Sequence, residues 1–106
     1  TVDFMYAADP AIDEASWDKA FAPEYAEPLL RDLIVEYRAC EWEHAALKAV
    51  MERAMEPYGI KLGKAQAATR VAVTGRSVGP PLFETLEVLG RDETLRRMGA
   101  ALERSR

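Results

Sequence analysis

The chain has only one cysteine and one histidine, the residue types that most often build metal sites and activated nucleophiles. Cys40 has no second thiol for a disulfide or a CxxC pair, so a reducing, cytoplasmic location is expected and Cys40 reads as a small packed residue. His44 follows Glu41 by three residues, a spacing that puts a carboxylate and an imidazole on one helix face. A helical di-metal centre needs two such pairs and further glutamates, so the pair reads as a solvated polar face. Serine and threonine are sparse, and no GxSxG, P-loop, HExxH or GxGxxG string occurs. No nucleophile, base and oxyanion hole can be assembled, and the chain is expected to catalyse nothing by itself and to hold neither metal nor cofactor. No uncharged apolar run approaches the roughly 18 residues of a membrane span. The opening Thr1, Val2, Asp3 lacks the basic region of a signal peptide, so neither insertion nor export is expected. A start without methionine reads as a piece cut from something longer.

Acid is missing from one stretch, Pro57 to Phe83, which carries Lys61, Lys64, Arg70 and Arg76. The net charge of -4 conceals this division. Residues 1 to 60 hold 13 acidic against 5 basic side chains, a balance of -8, and residues 61 to 106 hold 5 against 9, a balance of +4. The acid-free stretch is where a polyanion would dock.

What is present is helical periodicity in a single domain covering residues 1 to 106. Leu30, Leu33, Ile34 and Tyr37 repeat at i, i+3, i+4 and i+7, and Leu47, Val50, Met51, Ala54 and Tyr58 continue the pattern. Gly59 suits the left-handed residue that closes the second helix near Tyr58, with Ile60 folding back onto it. A third helix is expected from Leu62 to Val73, ended by Thr74 and Gly75. The Gly/Pro-rich segment Gly75–Pro81 follows as an exposed loop. The proline pair then opens a helix carrying Leu82, Phe83, Leu86 and Leu89, which stops at Gly90, and Leu95, Met98 and Leu102 mark a last one. Upstream, Asp13 or Ser16 caps a short helix through Trp17 and Phe21, and Pro23 is placed in a first helical turn. Glu41 and Glu43, like Asp92 and Glu93, are taken as helix-borne acids serving solubility and the N-terminal dipole. The expected architecture is an all-α bundle of five to six helices, with an acidic half at 1–60 and a basic half at 61–106 that bears the loop.

RNA loops expose unstacked bases that proteins read by stacking and by hydrogen bonds to base edges, while lysine and arginine hold phosphates. A Gly/Pro loop offers bare backbone groups for that work, and Arg70, one turn before it, offers a planar fork. At this segment the string KLGKAQAATRVAVTGRSVGPPLFETLEVLGRDETLRRMGAAL, Lys61 to Leu102, resembles the end of bacterial glutamyl-tRNA synthetases. That family shows GLKLGK, then R-x-A-x-TG, a short loop, P-x-LF, LGK/R and an LRRL-type last helix. The resemblance implies a C-terminal helical cage that binds the tRNA anticodon loop, joined in the parent enzyme to a catalytic domain that activates glutamate with ATP and Mg2+. It also implies a monomer that packs in cis on the rest of the synthetase. The implied RNA contacts are Arg70, Thr74, Gly75, Pro80 and Leu82, with Arg76, Ser77, Val78 and Gly79 as members of the same loop. Lys64 and Gln66 are added from the basic stretch. Relatives carry Gln-Pro-Leu before the arginine and Ser or Thr before the loop proline. Ala67, Ala68, Thr69 and Gly79 stand at those places, which leaves backbone groups or Gln66 to meet base edges there.

A different reading is a non-catalytic helical protein-interaction or scaffold module, motivated by the acidic first half and the apolar Phe4, Met5, Tyr6. In the ligase reading those apolar residues touch the preceding helical domain.

Overall fold

Helix follows helix along residues 11–105, the residues described in the computed structural model, and no strand occurs among them. The elements are α1 (Glu14–Phe21), α2 (Ala26–Tyr37), α3 (His44–Met55), a 3-10 turn (Glu56–Tyr58), α4 (Leu62–Thr74), α5 (Leu82–Leu89) and α6 (Arg91–Ser105). The all-α expectation is met, with six helices among the described residues. None is long and apolar enough to cross a membrane. Phe4, Met5 and Tyr6 lie outside the described residues.

Local chemistry accounts for the starts and stops. Asp13 sits in extended backbone and accepts the Ser16 N–H at 3.0 Å, the expected cap of α1. Pro23 does not open a helix. It lies in the turn before α2, where its carbonyl accepts the Ala26 N–H at 3.1 Å. The proline in the first turn of α2 is Pro28, whose missing N–H has no intrahelical acceptor to lose. Glu41 and Glu43 are likewise not helix-borne: α3 starts at His44, and Glu43 is its cap, accepting the Ala46 N–H at 2.8 Å. Asp92 and Glu93 do occupy the first turn of α6. After Met55 the ladder tightens into the 3-10 turn, because Pro57 has no N–H to donate, and Gly59 closes it at φ 65°.

The periodic apolar residues meet in one cluster: Leu30, Leu33 and Tyr37 from α2, Leu47 and Met51 from α3, Val71 from α4, Leu86 from α5 and Met98 from α6 are all fully buried. Burying each such leucine stabilises the fold by about 1.5–3 kcal/mol. Tyr37 keeps its hydroxyl satisfied by donating to the Leu47 carbonyl at 3.0 Å, and burial pushes that hydroxyl's pKa up. Cys40 is half-buried against the cluster, and burial pushes its thiol up, away from the reactive thiolate. Because α4 packs on α1 and α6, its C-terminal end, and the loop leaving it, emerge beside the start of α1.

Candidate nucleic-acid interface

α4 stops at Gly75, which takes φ 81° and donates to the Val71 carbonyl at 2.8 Å. A Cβ there would lie 2.1 Å from the Ala11 carbonyl oxygen, so both the dihedral and the crossing chain require glycine. The Thr74 hydroxyl donates to the Arg70 carbonyl at 2.7 Å and accepts the Arg76 N–H at 3.2 Å. Beyond it Arg76, Ser77, Val78, Gly79 and Pro80 are all exposed, and Val78 is 78% accessible. The far end is tied by Arg70, which donates to the Pro80 carbonyl at 2.8 Å and to Gln66 Oε1 at 3.0 Å. The near end is tied by α1: the Asp13 N–H donates to the Gly75 carbonyl at 2.8 Å, and the Ser77 N–H to Ser16 Oγ at 3.2 Å.

The residues singled out in the sequence therefore divide by position. Gln66, Arg70, Thr74 and Arg76–Pro80 share one edge. Gly75 is buried, and Leu82 is 2% exposed with its side chain in the core, so both shape the loop without presenting a side chain. Lys64 is exposed but stands two residues before Gln66, on another face of α4. Asp13 and Ser16 were read from the sequence only as caps, and their grip on the loop, 61 residues away for the Ser16–Ser77 pair, has no local signature.

The stretch is free of acid in sequence but not in space. Asp13 borders the loop start, and its carboxyl is held below the usual carboxylate range by the Ser16 hydroxyl and N–H and, to a smaller degree, by the Arg76 charge. On the other side, a groove of about 800 Å3 runs between the loop and α5; Thr74, Arg76, Pro80 and Val88 line it, with Glu84 opposite. In the wall of this groove Arg97, buried, donates to the Val73 carbonyl at 2.7 Å and to Glu93 at 2.8 Å. The Arg96 hydrogen bond, then that of Arg97, brings Glu93 down from an ordinary 4.5 to about 2. A second hollow, of about 670 Å3 beside Trp17, is walled by Asp18, Glu24 and Glu27, the wrong charge for a polyanion.

His44 pairs with Glu87 of α5, not with Glu41. Glu43, His44 and Glu87 bring ligand-type atoms within 4.8 Å of one another, all exposed. Those atoms already have work: Glu87 accepts the His44 N–H at 3.0 Å and faces the ring at 3.3 Å, while Glu43 caps α3.

Comparison with known proteins identifies the family. The chain is 54% identical over 103 residues to the glutamate–tRNA ligase of Frankia casuarinae, covering 97% of this chain and 22% of that protein. It is 51% identical over 102 residues to that of Streptomyces avermitilis, covering 95% of this chain and 20% of that protein. The chain thus spans about a fifth of the length of these relatives. The crystal structure of a glutamate tRNA ligase from Elizabethkingia meningosepticum, in complex with its amino acid, superimposes at a TM-score of 0.86 with 25% identity, over 98% of this chain and 20% of that one. The family model described as an anticodon binding domain matches residues 1–102, and the chain belongs to that family.

Proposed function

We propose that this chain is the anticodon-reading part of a glutamate–tRNA ligase, and that the edge formed by Gln66, Arg70, Thr74 and Arg76–Pro80 is its RNA-facing site. The observation that carries the reading is the exposed loop Arg76–Pro80, tied at both ends and flanked by guanidinium groups. Arg76, and Lys64 from its separate face, hold backbone phosphates; a bound phosphate needs only charge within reach. Val78 and Pro80 give apolar surface to an unstacked base, and the Ser77 carbonyl with the peptide groups of Val78 and Gly79 gives donors and acceptors for base edges. Arg70 keeps the loop closed through Pro80 and, with Gln66, turns free N–H and amide groups toward the RNA.

The chemistry that joins glutamate to tRNA then lies in the remaining four-fifths of the parent protein, which binds ATP and Mg2+ and onto which this domain packs in cis as part of a cytoplasmic monomer. The residues present do not fit an ATP–Mg2+ site: the sequence has no phosphate-cradling glycine string, and the His44 cluster is committed to capping and pairing. The test is a titration of the chain with glutamate-acceptor tRNA and with the same tRNA carrying replaced anticodon bases. Tighter binding of the first supports the reading, and equal binding overturns it.

A further inference from the structure

We propose that Ser16 is a positioning residue for the RNA-facing loop, acting through the backbone of Ser77; this rests on the function proposed above. Ser16 is 8% exposed, built into the wall between α1 and the loop. Its hydroxyl donates to Asp13 Oδ2 at 2.6 Å, which spends its only proton and turns its lone pairs toward Ser77. There it accepts the Ser77 N–H at 3.2 Å and lies 3.3 Å from the Ser77 hydroxyl. Asp13 completes the clamp from its own backbone, donating to the Gly75 carbonyl at 2.8 Å, while the Ala11 carbonyl lies against Gly75.

The clamp holds the loop at Gly75 and Ser77, and Arg70 holds it at Pro80. The peptide groups from Ser77 to Gly79 are therefore presented in one direction before any RNA arrives. Base recognition depends on that direction, whereas attraction of phosphates depends on charge and hardly on loop shape. Ser16 thus governs discrimination between anticodons without touching RNA and without setting the phosphate-borne, base-independent part of the affinity.

The experiment is Ser16→Ala in the full chain, read three ways: hydrogen exchange at the Ser77 amide, thermal unfolding midpoint, and the ratio of Kd values for glutamate-acceptor tRNA with replaced and with natural anticodon bases. The expected result is about five-fold faster Ser77 exchange and about a five-fold smaller ratio, the factor carried by one ordinary hydrogen bond, with binding of the base-replaced tRNA unchanged. Ser16→Thr, which keeps the hydroxyl, restores the ratio. If Ser16→Ala fails to fold, Ser16→Cys is read in the same way, since a thiol is only a weak acceptor for the Ser77 N–H. Unchanged Ser77 exchange, or an unchanged ratio in a folded variant, overturns the proposal. Equal binding of both tRNAs by the unaltered chain overturns the function instead, and Ser77 exchange then still decides whether Ser16 holds the loop.

Discussion

Two linkers in this fold are built on opposite plans. Between α2 and α3, the segment Arg38–Glu43 closes by packing its own, partly buried Trp42 side chain against the core. The Trp42 indole N–H donates to the Leu86 carbonyl at 2.8 Å, and its ring meets Tyr37 edge-on at 5.8 Å and lies 5.3 Å from the Arg91 guanidinium, which also hydrogen-bonds the Cys40 carbonyl. Between α4 and α5, the segment Gly75–Pro81 buries almost none of its side chains. Groups from other segments, Asp13, Ser16 and Arg70, grip its backbone and leave Arg76–Pro80 outside. A linker held by its side chains is spent on the fold. One held by its backbone keeps its side chains for a partner.

The contrast can be broken most severely at Trp42. Trp42→Ala should lower stability by about 3 kcal/mol, as truncation of a packed tryptophan does, with little change in anticodon discrimination; urea unfolding and tRNA titration would show both. Gly75→Ala comes next, at about 2 kcal/mol for a left-handed alanine plus the clash with Ala11, and here discrimination should fall together with stability. Arg70→Ala should cost only about 1 kcal/mol of stability, since its hydrogen bonds are solvent-accessible, while cutting selective tRNA binding about ten-fold.

Acid sharpens the comparison more gently. Glu93 has its pKa lowered on folding, so its contribution is present above about 4.5 and is lost as pH falls toward about 2. An acid titration of Glu93→Gln should be flatter over that window than that of the unaltered chain. Smallest of all is Val78→Ser, which should alter stability by less than about 0.5 kcal/mol because the side chain is exposed, and a melt that moves further would show the loop to be packed after all.

Much of this fold was legible because its signals are local. The leucine spacing in α2 and α3, the glycines at 59, 75 and 90, and the Asp13 cap each act within a turn or two of the chain, where short-range sterics and hydrogen bonding decide. Pro23 was misplaced because Pro28 offers the same helix-start chemistry five residues later, and only packing against the core selects between them. Glu41 and Glu43 differ from the sequence expectation because glutamate favours helix interiors, whereas the Glu43 carboxylate reaches forward to accept the Ala46 N–H and cap α3. The candidate site was legible as a stretch and not as a surface. Sequence showed the bare loop and its arginines; the Ser16–Ser77 and Arg97–Val73 bonds join residues 61 and 24 apart, and no spacing rule anticipates them. Leu82 shows the converse: membership of a loop motif says nothing of which way a side chain points.

Arg97 has a consequence for charge. α4 runs toward the loop, so its negative pole, about half an elementary charge on unpaired carbonyls, is delivered where phosphates would have to approach. Arg97 covers one of those carbonyls from beneath, at Val73, and is itself anchored by Glu93. The guanidinium lines the groove but is almost wholly buried, and it spends its N–H groups on Val73 and Glu93. What it offers instead is partial cancellation: it quiets the end of the helix, leaving Arg70 and Arg76 to oppose Asp13 and Glu84 in the field above the loop.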